Sequence, residues 1–129
     1  MPPENNANEL DCVNVVQLTD SHLFADPDAR LLGLDTYASL NAVIDSVLEE
    51  QSRIDLVLAT GDIAQVASES AYQRFVSSVE RLARPWYWLP GNHDDAQIMS
   101  RMGQAGGFSV PWIDVGNWRL VMLDSALPD

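Results

Sequence analysis

Three short apolar runs, each cut off by polar residues and glycine, constrain the fold of this chain more than any other feature. They cover residues 12–18, 54–59 and 86–89. Runs of this length that are rich in β-branched and aromatic residues are typical of buried strands. We therefore predict a strand in each of the three runs, and a buried strand in the first.

The segments between these strands have helical periodicity. Apolar residues recur every three to four positions from Asp35 or Thr36 to Arg53, and again from Ser68 to about Ala83. The resulting order β-α-β-α-β predicts an α/β fold, in which right-handed crossovers produce a mainly parallel sheet.

The last third of the chain has a different pattern. A short helix is predicted from Asp95 to Met102, and two further apolar runs, 112–115 and 118–123, flank the pair Gly116 and Asn117. A two-residue loop that begins with glycine is typical of a type II′ turn in an antiparallel hairpin. We therefore expect a mixed sheet.

A polar cluster follows each of the three predicted strands, and the carboxyl ends of parallel strands meet at one edge of a sheet. The clusters are Asp20-Ser21-His22, Gly61-Asp62 and Gly91-Asn92-His93-Asp94. Glycines 61 and 91 allow the backbone to bend beside each cluster without a Cβ clash. These polar side chains are therefore expected to converge.

Their donor atoms suit metal ions. An aspartate two residues before a histidine, as in Asp20 and His22, can direct a carboxylate and an imidazole at one ion. Asp62 has two oxygens and can bridge two ions, and Asn92 adds a neutral oxygen ligand. Oxygen and imidazole donors without a thiolate favour Mn, Fe or Zn.

Each cluster alone also has an ordinary structural interpretation. Asp20 could be a turn residue, His22 a surface histidine, Asp62 a helix cap, and Gly91-Asn92 a simple turn. Because short motifs produce many false matches, this interpretation is favoured by roughly three to one for any single cluster. The combination reverses that balance, since the only two histidines of the chain both directly follow predicted strands.

Charge and composition disfavour several classes of partner and location. Nineteen acidic residues against seven basic ones give a net charge of −12, which disfavours binding to nucleic acid or to an anionic membrane. A phosphate ester substrate would then require a bound metal ion to supply positive charge. There is no targeting or membrane-spanning pattern, and Cys12 is the only cysteine, so the cytoplasm is the expected compartment.

The ordered motifs D-x-H, GD and GNH followed by an acidic residue resemble those of the calcineurin-like metallophosphoesterases. Within that family, the stretches 17–24, 32–33 and 35–37 are similar to the bacterial class III 3′,5′-cyclic AMP phosphodiesterases. The resemblance runs from Val13 to the strand end at 123–125. It implies a four-layer αββα sandwich, here reduced to its N-terminal β-α-β-α-β half and a hairpin.

The resemblance also implies roles for individual residues. Asp20 and His22 would bind a first metal ion, Asp62 would bridge to a second ion, and Asn92 would bind the second ion and contact the substrate. His93 would face the substrate phosphate as the catalytic residue. Two divalent ions, iron or manganese with zinc as a third option, would activate a bridging hydroxide that hydrolyses a small phosphodiester, specifically cyclic AMP to 5′-AMP.

The chain departs from the family on its C-terminal side. A G-H-x-H motif is expected after the hairpin, and no histidine follows His93. We therefore interpret residues 12–129 as the N-terminal part of a metallophosphoesterase domain whose C-terminal part is missing, preceded by a flexible segment at 1–11. The apolar hairpin would then be partly uncovered and prone to self-association.

The activity and oligomeric state of the 129-residue chain stay open at this point. Two alternatives to cyclic AMP hydrolysis also remain: another small phosphodiester or phosphomonoester as substrate, and an inactive scaffold fragment.

Overall fold

The computed structural model describes residues 12–50 and 53–125, so the interpretation of residues 1–11 and of the last four residues lies outside it. The elements follow the predicted order β-α-β-α-β and then continue with a helix and a hairpin. In chain order they are β1 (Val15–Leu18), α1 (Thr36–Glu50), β2 (Leu56–Thr60), α2 (Glu69–Val79), a 3-10 turn (Glu80–Leu82), β3 (Trp86–Leu89), α3 (Ala96–Gly106), β4 (Trp112–Val115) and β5 (Trp118–Val121).

Strands β1, β2 and β3 form a parallel sheet with β2 in the centre. The register places Leu18 beside Ala59 and Ala59 beside Trp88. All three strands therefore end at nearly the same level, and the polar clusters that follow them emerge at one edge of the sheet. The predicted α/β class and parallel sheet are confirmed.

The hairpin forms a sheet of its own. Strands β4 and β5 pair antiparallel around Gly116, whose φ of +56° suits the predicted type II′ turn. Within the described residues this hairpin does not pair with the three-stranded sheet, so the prediction of a mixed sheet is wrong. Alternating apolar residues indicate a strand, but they do not indicate which strand it pairs with.

The core lies between the parallel sheet and the first two helices. Ile44 of α1 and Tyr72 and Phe75 of α2 are buried against Val57 and Trp88 of the sheet. Tyr72 is completely buried, and its ring lies edge to face against Trp88 with 5.5 Å between ring centroids. Helix α2 is therefore anchored directly beneath the strand edge that carries the polar clusters.

Each helix starts at a residue suited to an N-cap. The Asp35 carboxylate accepts a hydrogen bond from the amide of Ala38, Ser68 accepts one at the start of α2, and Asp95 accepts two at the start of α3. Helix α3 passes the predicted end at Met102 and stops at 106, where Gly107 adopts the left-handed conformation with φ +83°. Glycines inside a helix cost only about 1 kcal/mol each, which tertiary packing can offset.

Several large apolar side chains of the hairpin face solvent. Ile113 is buried, whereas Trp112 and Trp118 are 51% and 62% exposed.

In the described part of the chain no helix combines the length and the apolar character needed to cross a bilayer.

Candidate metal centre

The first two polar clusters are joined by main-chain hydrogen bonds that extend the β1–β2 pairing past the strand ends. The amide of Asp20 donates to the carbonyl of Gly61 at 3.0 Å, and the amide of His22 donates to the carbonyl of Asp62 at 2.9 Å. The relative position of these two loops is therefore set by the backbone itself.

The backbone at this edge adopts an uncommon conformation. Asp20, His22 and Asp62 have φ values of +58°, +48° and +45°, in the left-handed region that most residues avoid. Aspartate and histidine enter this region more often than other residues, yet each instance costs of order 1–3 kcal/mol and persists only where the surroundings enforce it. Such strain clusters at functional sites.

The three side chains converge as their positions in the sequence predict. Asp20, His22 and Asp62 each offer one ligand atom, and these atoms lie within 4.8 Å of one another. The Nε2 atom of His22 is 3.4 Å from Oδ1 of Asp20. Two carboxylates and one imidazole within this distance suit a divalent cation with mixed oxygen and nitrogen ligands.

A residue that the motifs did not indicate orients His22. The Nδ1 atom of His22 lies 2.8 Å from Oε1 of Gln65. When Nδ1 carries the proton and donates it to this carbonyl oxygen, Nε2 is left with its lone pair directed toward Asp20. Contacts of this kind fix the tautomer of metal-binding histidines. Gln65 lies three residues after Asp62, and nothing in its sequence context distinguishes it from a surface glutamine.

Asn92 provides the test of whether the site fits a cation. Its side-chain nitrogen, when turned toward Asp62, donates to both carboxylate oxygens at 3.2 Å. When the amide is turned the other way, its oxygen faces the same two oxygens. Three oxygens directed at one another are unfavourable unless a cation lies between them. Asn92 can therefore satisfy Asp62 by itself or serve with it as an oxygen ligand.

His93 lies at the outer side of the cluster. Its amide donates to Oδ1 of Asp62 at 2.9 Å, and its ring is edge-on to that of His22 with 5.5 Å between centroids. The side chain is exposed. The structure thus brings all five residues predicted from the sequence together, with four potential ligands grouped and the His93 ring accessible beside them.

The two glycines of the clusters serve different purposes. Gly61 has a φ of +107°, which agrees with the predicted sharp bend. Gly91 is required for close approach instead: a Cβ at this position would lie 2.3 Å from Oδ1 of Asp62 and 2.4 Å from its main-chain nitrogen. The loop after β2 and the loop after β3, called the β2 loop and the β3 loop below, therefore touch at a point where no side chain fits.

The two acidic residues after His93 have separate roles. Asp95 is the N-cap of α3. The Asp94 carboxylate instead accepts four hydrogen bonds, none of them from the His93 ring, and one of the donors is the hydroxyl of Tyr72. Burial raises the pKa of Tyr72 above its ordinary value, and the charge of Asp94 raises it further. The hydroxyl therefore keeps the proton that it donates.

A cavity of about 480 Å³ adjoins Asp20 and His22. Part of its lining is apolar and comes from Leu31, Leu34 and Val43. Thr36 and Ser39, at the start of α1, add hydroxyl groups. A pocket of this size next to the cluster suits a small organic molecule.

Known proteins with similar sequences are phosphoesterases. The family model for calcineurin-like phosphoesterases matches residues 13–127. The chain is 50% identical over 116 residues to the 3′,5′-cyclic adenosine monophosphate phosphodiesterase CpdA of Pseudomonas aeruginosa, an alignment that covers 90% of this chain and 43% of the relative. It is 40% identical over 115 residues to the protein of the same name from Escherichia coli K12, with 88% and 42% covered.

A relative outside this group also matches. The 3′,5′-cyclic-nucleotide phosphodiesterase alr5338 of Nostoc is 34% identical over 123 residues, which cover 95% of the chain and 46% of the relative. The chain thus spans less than half the length of the curated relatives it matches.

Proposed function

Since the chain belongs to the calcineurin-like phosphoesterase family, we propose that it supplies one part of a dinuclear metal site that hydrolyses 3′,5′-cyclic AMP to 5′-AMP. The observation that carries this proposal is the convergence of Asp20, His22 and Asp62 within 4.8 Å. The choice of cyclic AMP rests on the names of the relatives that are 40–50% identical.

Four residues would hold the metal ions. Asp20 and His22 would bind the first ion, Asp62 would be shared, and Asn92 would bind the second. When bound, the two ions would supply the positive charge that a chain with net charge −12 lacks, and would polarise the phosphodiester. Manganese and iron suit this oxygen and imidazole donor set, and zinc is the third option.

His93 would act on the leaving group. Its main chain is held by Asp62, whereas its ring is exposed at the outer side of the cluster. Hydrolysis of the cyclic ester breaks the bond between phosphorus and O3′, and the departing oxygen needs a proton, which the imidazole can donate. A well-placed general acid contributes about a hundredfold to ten-thousandfold in rate. His93 would therefore affect rate far more than metal binding.

The size of the substrate follows from charge and from the cavity. An acidic surface repels long polyanions, and the cavity of about 480 Å³ beside Asp20 suits a compact molecule. Both features favour a small phosphodiester over nucleic acid.

The test combines two measurements: Mn²⁺ titration of the chain by calorimetry, and formation of 5′-AMP from cyclic AMP by chromatography in a protein that carries the chain together with the rest of the metal site. We expect Asp62→Asn to lose both metal binding and hydrolysis. His93→Ala should keep its metal and lose about a hundredfold or more in rate. Asp45→Asn is the matched control, because Asp45 is an exposed carboxylate of α1 whose partner is Arg81. This variant should change neither metal binding nor hydrolysis.

The outcomes separate the alternatives. Unchanged metal affinity in Asp62→Asn would contradict the shared ligand. Loss of metal together with activity in His93→Ala would make His93 a ligand. Hydrolysis of other small diesters but not of cyclic AMP would refute the substrate, and metal binding without any hydrolysis would identify an inactive scaffold.

A further inference from the structure

The three loops of the candidate metal centre are connected in two different ways. Main-chain hydrogen bonds join the loops after β1 and β2. Among the described residues, no main-chain hydrogen bond joins 61–65 to 90–94. These two loops are connected by carboxylates instead: Asp62 accepts from the amide of His93, and Asp94 accepts from both loops. The spacing between Asp62 and Asn92 therefore depends on side chains.

Of these two carboxylates, Asp94 accepts more main-chain hydrogen bonds. Its Oδ2 atom accepts from the amides of Gly91 at 2.8 Å and Ile63 at 3.2 Å, and its Oδ1 atom accepts from the amide of Ala64 at 2.9 Å. One side chain thus holds two consecutive amides of the β2 loop and one amide of the β3 loop. Hydrogen bonds to a charged acceptor are about twice as strong as neutral ones.

Tyr72 ties this carboxylate to the core. Its hydroxyl donates to Oδ1 of Asp94 at 3.0 Å and accepts from the amide of Asp95 at 2.8 Å. The ring is fully buried on α2 against Trp88, so the hydroxyl has a fixed position. Because both hydrogen bonds of this buried hydroxyl go to Asp94 and its neighbour, the Tyr72 side chain and the Asp94 carboxylate constrain each other.

We propose that Tyr72 and Asp94 form a positioning pair that holds Asp62 and Asn92 at the spacing required for the second metal ion. The identity of that ligand rests on the proposed function, whereas the connection between the two loops does not. Removing the Tyr72 hydroxyl frees Asp94 from the core and loosens the β3 loop. The first ion is less sensitive, because the backbone connects the loops that carry Asp20, His22 and Asp62.

Tyr72→Phe is the informative variant because it keeps the buried ring and removes only the hydroxyl. Ser78→Ala is its matched control: it also removes a buried hydroxyl from α2, and Ser78 Oγ has no hydrogen-bond partner in the described chain. Asp94→Asn tests the pair from the other side, since an amide nitrogen would face donors. Near-ultraviolet circular dichroism verifies that each variant keeps its packed core.

Two readouts decide the proposal. The first readout is the affinity for Mn²⁺, measured by calorimetric titration of the 129-residue chain. Tyr72→Phe and Asp94→Asn should lower the affinity for the second ion about 10- to 100-fold, which is the usual effect of losing a residue that supports metal ligands. The affinity for the first ion should fall much less. Hydrogen exchange should accelerate at the amides of Ala64 and Gly91 but not at Val57, inside β2. Ser78→Ala should leave both measurements unchanged.

The result that overturns the pair is unchanged exchange at Gly91 in both Tyr72→Phe and Asp94→Asn, or equal weakening of the two ions. A single bound ion in the unsubstituted chain would instead show that the ligands of this chain do not hold a second ion by themselves, and would overturn the claim about the second ion. Exchange at Gly91 would still decide whether the pair holds the loops.

Discussion

Replacing Gly91 by alanine tests whether contact between the β2 and β3 loops sets the position of Asp62. A Cβ at Gly91 would lie 2.4 Å from the main-chain nitrogen of Asp62, and no side-chain rotation can relieve a contact with backbone. Ordinary contact requires about 3.5 Å, so the two loops would have to separate by about 1 Å.

That displacement is large for a metal site and moderate for stability. Metal–ligand distances tolerate changes of about 0.2 Å, so a shift of this size removes Asp62 from the coordination of one ion or both. Overpacking costs about 1–3 kcal/mol in the free energy of unfolding. Each kcal/mol lowers the melting temperature by roughly 2–8 °C in domains of this size range.

The assay measures thermal unfolding and Mn²⁺ affinity for Gly91→Ala beside Gly107→Ala. Gly107 has φ +83°, and no atom lies within 4 Å of an added Cβ. Alanine at this position therefore has no steric clash, and its only cost is the left-handed backbone conformation, about 1–2 kcal/mol in the free energy of unfolding. Both variants should melt at lower temperature, and only Gly91→Ala should lose metal affinity. Parallel loss of affinity in both variants would refute the reasoning, because metal binding would then follow general stability.

Three further outcomes are expected. Gln65→Leu should weaken metal binding about 10- to 100-fold, and ¹⁵N NMR should show His22 losing its single tautomer, whereas unchanged spectra would exclude the orienting contact. The pKa of Asp114 is held below 3.8 by the hydrogen bond from Arg119, so the contribution of this pair to hairpin stability should be complete above about pH 4 and fall as the pH drops below it. A carboxyl NMR titration measures that pKa, and an Arg119→Gln protein should restore the ordinary value. Trp118 is 62% exposed, so Trp118→Lys should reduce dye binding and self-association in light scattering, and identical scattering in both proteins would contradict an adhesive hairpin.

The five residues of the candidate metal centre could be predicted because their signals are local. Apolar runs indicate the strands, helical periodicity indicates the crossovers, and a parallel sheet places every strand end at one edge. Asp20, Asp62 and Asn92 therefore converge as a consequence of topology, and the convergence needs no knowledge of their side-chain contacts. The order of the elements follows from the same short-range patterns.

The contacts that hold these residues in place could be established only from the tertiary structure. Tyr72 and Asp94 are 22 residues apart, and His22 and Gln65 are 43 apart, so no local pattern links either pair. Tyr72 has the spacing of an ordinary core residue, and its hydroxyl gains a role only when α2 packs beneath the strand edge. In the same way, only the packed chain decides that β4 and β5 form their own sheet. A residue's type and periodicity specify which face it occupies, whereas its hydrogen-bond partner depends on which segments the folded chain brings together.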